Sequence, residues 1–225
     1  MKYYKVLKTI WNKKYVCASI GYFFVGYLWS SPWVKDGIDI VWADLFSWDS
    51  FVAFILPVFL FVLYQGSQWL LGIPAYMRIK DKMKYIKFFF YETGVISFSL
   101  SILYVAVIVA GNCFFRINTS GQMQYVFKYA VMLFFLLMVY GLAFFQCLLK
   151  QWRIQICFLV VIILPMADFV IYFYHHTLLL YMRFLFASNM LELFQSAVLG
   201  TILILLLKEI LGRTIRRMEM TGSNE

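Results

Sequence analysis

Long runs without charge constrain this chain more than any other feature. Residues 15–34, 51–76, 93–115 and 129–149 contain no Asp, Glu, Lys or Arg, and 154–174 holds a single charge, Asp168. An α-helix needs about 20 mostly apolar residues to cross the ~30 Å hydrocarbon core of a bilayer. Each of these runs is long enough. A sixth run, 193–207, is shorter, but it reaches Leu211 if Lys208 and Glu209 extend their charged tips to the interface. The chain therefore reads as an all-α polytopic membrane protein of about six spans, near 15–34, 51–73, 90–113, 127–149, 154–174 and 193–211. It forms one transmembrane domain over residues 1–225. The 64% hydrophobic and 14% charged content agrees with this, since soluble domains average about half apolar and a quarter charged.

Basic residues are distributed by side. Lys2, Lys5, Lys8, Lys13 and Lys14, then Arg78, Lys80, Lys82, Lys84 and Lys87, then Lys150 and Arg153, then Lys208, Arg213, Arg216 and Arg217 fall on one side of the six-span layout. Only Lys35, Arg116, Lys128 and Arg183 fall on the other. Sixteen against four is a strong positive-inside bias, so both termini are expected in the cytoplasm. The same dispersal argues against nucleic acid as a partner, despite a net charge of +9. The first run is long and bulky and ends in Leu28-Trp29-Ser30-Ser31-Pro32-Trp33. It offers no small-x-small cleavage site and reads as an uncleaved span.

Between the spans, residues 2–14 place Tyr3, Val6, Leu7, Ile10 and Trp11 on one helical face, with lysines mostly elsewhere. This is the pattern of a helix lying in the headgroup plane. In the basic connection after span two, apolar Tyr76, Ile79, Met83 and Ile86 alternate with cations. That segment reads equally as a short amphipathic helix or as a solvated turn. Residues 35–50 contain Trp42, Trp48, Asp36, Asp39, Asp44 and Asp49, and read most simply as an interfacial loop. Asn118-Thr119-Ser120 is a glycosylation sequon whose meaning depends on the host. Residues 175–192 are too apolar for a solvated loop and, with Arg183, a poor span. A re-entrant or interfacial hairpin before the last span fits best.

Ionisable groups within the membrane are costly and are candidates for function. Asp168 follows Pro165 in span five, and either pairs with Arg183 or His175 or meets a cationic cargo. Glu92 lies one turn into span three, in reach of Lys87 or Lys84. Arg183 and Glu192 complete this set. Gln65, Ser67, Gln68 and Gln146 are read as interhelical hydrogen-bonding groups. The adjacent His175 and His176 point about 100° apart on a helix and have no third ligand at suitable spacing, so no metal site is expected. Cys17, Cys113, Cys147 and Cys157 form no C-x-x-C pair and read as packing residues. No nucleophile elbow or G-x-x-x-x-G-K-[ST] loop is present, so neither catalysis nor ATP hydrolysis is expected of this chain.

The layout resembles the permease subunits of type-two ABC exporters, especially the small ones that accompany bacteriocin or lantibiotic self-protection systems. Residues 2–14 match the N-terminal interfacial helix of that family. Residues 76–87 match the short cytoplasmic helix that engages the ATPase, and 175–192 match the hairpin before the last span. The resemblance covers nearly the whole chain and rests on architecture. It implies a separate ATP-binding cassette ATPase, carrying ATP and Mg on that partner, and a second permease chain, identical or not. It also implies an amphipathic peptide or lipid-like cargo, the plasma membrane of a bacterium, and coupling through Tyr76, Arg78, Lys80, Lys82 and Lys84. Two other readings stand beside it. A six-span binding component of a small-molecule importer would favour small residues where this chain has Tyr22, Phe23, Phe24 and Tyr27. A non-transporting immunity or assembly protein would only bind a partner.

Overall fold

The computed structural model describes residues 13–29, 38–71, 82–115, 122–150 and 152–222, and these are helical with no strand. We number the helices α1 (Lys13–Trp29), α2 (Ile38–Leu45), α3 (Leu56–Leu71), α4 (Lys82–Phe114), α5 (Gln122–Leu149), α6 (Ile154–His175), α7 (Leu180–Leu185) and α8 (Met190–Gly222). Five stretches are long and apolar enough to cross a membrane: Trp42–Gln68, Ile86–Phe114, Met123–Leu149, Ile154–His175 and Met190–Ile215. The apolar part of α1, Val16–Trp29, is shorter. The protein is thus a polytopic helical bundle. The interfacial helix expected at 2–14 lies outside the described residues apart from its last two positions, which begin α1. The sequon, Tyr76, Arg78 and Lys80 also lie outside them.

Helix α5 is the most enclosed of the five long stretches, whereas α6 and α8 are the least enclosed. α5 packs most extensively against α4 and α8. Its buried positions Met132, Leu133, Leu136, Leu137, Tyr140, Phe144 and Phe145 recur at the three- and four-residue spacing of one helical face. Exposed Phe98, Leu159, Phe173, Phe194 and Leu205 on the outer helices are what a lipid-facing surface requires.

Two ends of the bundle can be told apart. Lys208 Nζ lies 5.0 Å from the Phe90 ring centroid. Gln146 donates to Thr214 Oγ1 at 2.7 Å, which brings the basic starts and ends of α4, α5 and α8 together. At the opposite end Lys128 Nζ donates to the Leu185 carbonyl at 3.0 Å. Helix α1 runs alongside α4 in the same direction: Phe23 meets Tyr104 at 4.9 Å, and Tyr27 Oη, one turn on, donates to Asn112 Oδ1 at 2.9 Å. Both α4 and α8 contain 33 residues, a length of about 50 Å. They exceed a ~30 Å core by several turns. Lys82–Lys87 therefore belong to the same unbroken helix as span three, which starts eight residues before the expected 90.

The row of Trp and Asp residues at 35–50 differs from the expected interfacial loop. Trp42, Leu45, Phe46 and Ser50 are buried. Trp42 stacks on Tyr129 at 5.4 Å, Phe46 stacks on Tyr129 at 4.1 Å, and Tyr104 meets the Phe46 ring edge-on at 5.4 Å. Helix α2 stops at Leu45, and the carbonyls at its C-terminus need donors. Tyr104 Oη donates to the Leu45 carbonyl at 3.1 Å, and Tyr181 Oη donates to the Phe46 carbonyl. The chain then continues from Trp48–Ser50 through a π-helical turn, Phe51–Ile55, into α3. This wide turn precedes Pro57, which has no N–H to give to the helix. Aromatic burial wins because Trp42 has three aromatic neighbours within 6.3 Å, more apolar contact than a headgroup layer offers.

Candidate functional site

Helix α4 carries five of the buried polar groups among the described residues. Glu92, Thr93, Ser97, Ser101 and Asn112 are all buried. Most are satisfied locally. Thr93 Oγ1 donates to the Phe89 carbonyl at 2.8 Å and Ser101 Oγ to the Ser97 carbonyl at 2.7 Å, so these hydroxyls return to their own helix. Asn112 Oδ1 is held by Tyr27. Ser97 Oγ and Asn112 Nδ2 are buried without a hydrogen-bond partner among the described residues.

Glu92 is different. Glu92 is 0% exposed, and neither carboxylate oxygen has a hydrogen-bond partner among the described residues. It presses on α3 at Gly66, where a Cβ would stand 2.5 Å from Glu92 Oε1. A side chain there would have to displace the carboxylate from where it sits. The neighbouring Ser67 hydroxyl is also fully buried and spends its proton on the Tyr64 carbonyl at 3.0 Å. The expected pairing with Lys87 is not made, because five residues on a helix turn Lys87 about 140° away from Glu92, and Lys87 is exposed. Lys82 and Lys84 begin α4, and their side chains lie outside the described residues. A bare carboxylate in an apolar interior costs several kcal/mol. Glu92 therefore requires a proton, a cation or a donor from outside the described residues, which makes it the strongest ligand-seeking group among them.

Asp168 has a different task. Its Oδ2 accepts the Tyr181 N–H at 2.6 Å, and the backbone amides of Leu179 and Met182 also face it. These amides form the start of α7, so a carboxylate on α6 caps the N-terminus of a neighbouring helix. Among the described residues neither Arg183 nor His175, its expected partners, forms an ion pair with it. The backbone of α7 is closer and offers several donors in one place. At the other end of α7, Lys128 caps the Leu185 carbonyl and lies 5.1 Å from the Tyr129 ring. Arg183 occupies the last turn of α7, where a cation suits the helix dipole. Residues 175–192 thus contain one short helix, clamped by an anion and a cation at the ends that favour them.

Glu192 lies in the first turn of α8. Its Oε2 accepts from Ser188 N–H at 2.7 Å and Ser188 Oγ at 3.0 Å, and its own N–H donates to Asn189 Oδ1 at 2.9 Å. This is a reciprocal helix-start cap, so Glu192 starts the last helix rather than serving inside the membrane. His176 closes α6 with φ of 52°, the left-handed geometry common after a helix C-terminus. Sequence reasoning missed Lys128 as a cap and Gly66 as the partner of Glu92. The first acts through a backbone carbonyl. The second depends on how α3 and α4 are rotated against each other.

No protein-family model matches the chain, and comparison with curated proteins and with solved structures gives no match either.

Proposed function

We propose that this protein is the membrane-spanning permease subunit of an ATP-driven, ABC-type exporter. In this reading it has six spans with both termini on the cytoplasmic side, and it moves an amphipathic peptide or a lipid-like molecule. One observation carries the proposal: α4 runs unbroken from Lys82 to Phe114. A cytoplasmic partner pushing on the basic segment before and within the first turns of α4 acts on the end of a helix that crosses the whole bilayer. That helix packs on α1, α3, α5 and α8, so its tilt reaches most of the bundle. The chain has no phosphate-binding loop of its own, so the energy comes from a separate ATPase.

The test is charge reversal at Arg78, Lys80 and Lys84 together, followed by export and by binding of the ATPase. The proposal expects coupling to be lost while the protein still inserts and elutes as the wild type does. Wild-type export by the triple variant contradicts it.

A further inference from the structure

A groove of about 810 Å³ lies between α4, α5 and α8, apart from the face that carries Glu92. Its walls are Phe90, Val95, Phe98, Phe134, Met138 and Leu205, and at its basic end stand Lys87 and Lys208. Among the described residues no carboxylate lines it, and the nearby Glu209 is engaged by Arg213 at 3.2 Å. Exposed Tyr91, Phe98 and Leu205 show that it opens sideways to the surroundings. From Lys87 to Phe98 is eleven residues of helix, a rise of about 16 Å. That is close to half of a ~30 Å hydrocarbon core, the depth of one leaflet.

We propose that this groove binds one anionic glycerophospholipid from the leaflet at the basic end of the bundle. The phosphate sits between the Lys87 and Lys208 ammonium groups, and one acyl chain lies along the floor at Gly94. Three features fit together. Two cations and, among the described lining residues, no carboxylate select a negative headgroup, as basic pockets between membrane helices do. The walls are apolar for one leaflet's depth. Gly94 leaves the floor open, since a Cβ there would meet only Met138 Sδ at 3.7 Å. Lys208 is held in place over the Phe90 ring rather than free to trail away. The proposal depends on the chain spanning a bilayer and not on the exporter reading.

The experiment is native mass spectrometry of the full-length protein in mild detergent. The protein is titrated with phosphatidylglycerol or with phosphatidylethanolamine of the same acyl chains. The wild type is expected to hold one phosphatidylglycerol per chain in preference to phosphatidylethanolamine. K87Q and K208Q each weaken it about fivefold, and together about thirtyfold. G94L, which fills the floor but keeps both lysines, removes the same binding event. K150Q, outside the groove, leaves it unchanged. Equal binding of the two lipids overturns the proposal, as does wild-type affinity in K87Q/K208Q. Loss with the lysine variants but not with G94L shows a diffuse surface potential and overturns the groove. Disulfide formation between chains carrying F98C and L205C shows a second copy seated there, and also overturns it. Because G94L retains all charges at a sterically open position, the test stands even if the double lysine variant fails to fold.

Discussion

Removing Asp168 should release α7, and the cost follows from what the carboxylate holds. Its Oδ2 accepts the Tyr181 N–H at 2.6 Å, a bond to a charged group worth about 1.5–3 kcal/mol. Asp168→Ala leaves that amide buried beside Tyr181, whose side chain is 0% exposed and whose hydroxyl also caps the Phe46 carbonyl. A loss of about 2–3 kcal/mol is therefore expected. At about 2–4 °C per kcal/mol for a chain of this size, the thermal midpoint should fall by about 4–12 °C. Asp168→Asn keeps an acceptor oxygen and should lose about half as much. Lys128→Ala, which frees the Leu185 carbonyl at the other end of the same helix, should cost about 1 kcal/mol. Since both side chains hold one six-residue helix, the double variant should fall short of the sum by about 0.5–1 kcal/mol. The assay is thermal unfolding in detergent followed by tryptophan fluorescence. A midpoint for Asp168→Ala within about 1 °C of the wild type would refute the capping role and return Asp168 to the cargo-contact reading.

Gly66→Ala should cost about 1–2 kcal/mol by displacing the Glu92 carboxylate, and Glu92→Ala should abolish that cost; a cost that persists in the double variant refutes the contact. Gly111→Ala should be worse, about 2–3 kcal/mol, because three atoms of the rigid Tyr27 ring stand 2.6–2.9 Å from the new Cβ. Its thermal midpoint measured beside that of Gly66→Ala checks the order. Tyr104→Phe leaves the Leu45 carbonyl unpaired in a buried site and should cost about 1–3 kcal/mol, while an unchanged midpoint would mean that water reaches that carbonyl.

What the sequence made legible was the long apolar helices. Runs without charge mark helices because a lipid-exposed backbone must satisfy itself within the segment. Five such stretches appear; four begin within about four residues of their expected positions, the second begins nine residues early at Trp42, and α4 and α8 extend at their charged ends. Less legible was anything that depends on rotation or on the backbone. Trp42 and Trp48 suggested a headgroup loop, yet Trp42 is buried against Tyr129, and Trp48 stacks on Phe169 at 4.8 Å. Nothing local distinguishes a tryptophan that faces lipid headgroups from one that faces a tyrosine on another helix. Asp168 was recognised as important, but neither Arg183 nor His175 pairs with it among the described residues, because side-chain charges are visible in a sequence and free amides at the start of a six-residue helix are not. Glu92 was likewise recognised, and its isolation follows from the 140° turn that points Lys87 into the lipid-facing groove instead.

The most direct test of the exporter account is to purify the chain from its native membrane in mild detergent, without crosslinking, and to identify what accompanies it. The account predicts a phosphate-binding-loop ATPase in stoichiometric amount, together with a second permease chain, identical or different. If the protein emerges without any ATPase, under conditions that keep other transporter complexes intact, the account is contradicted and a non-transporting immunity or assembly role takes its place.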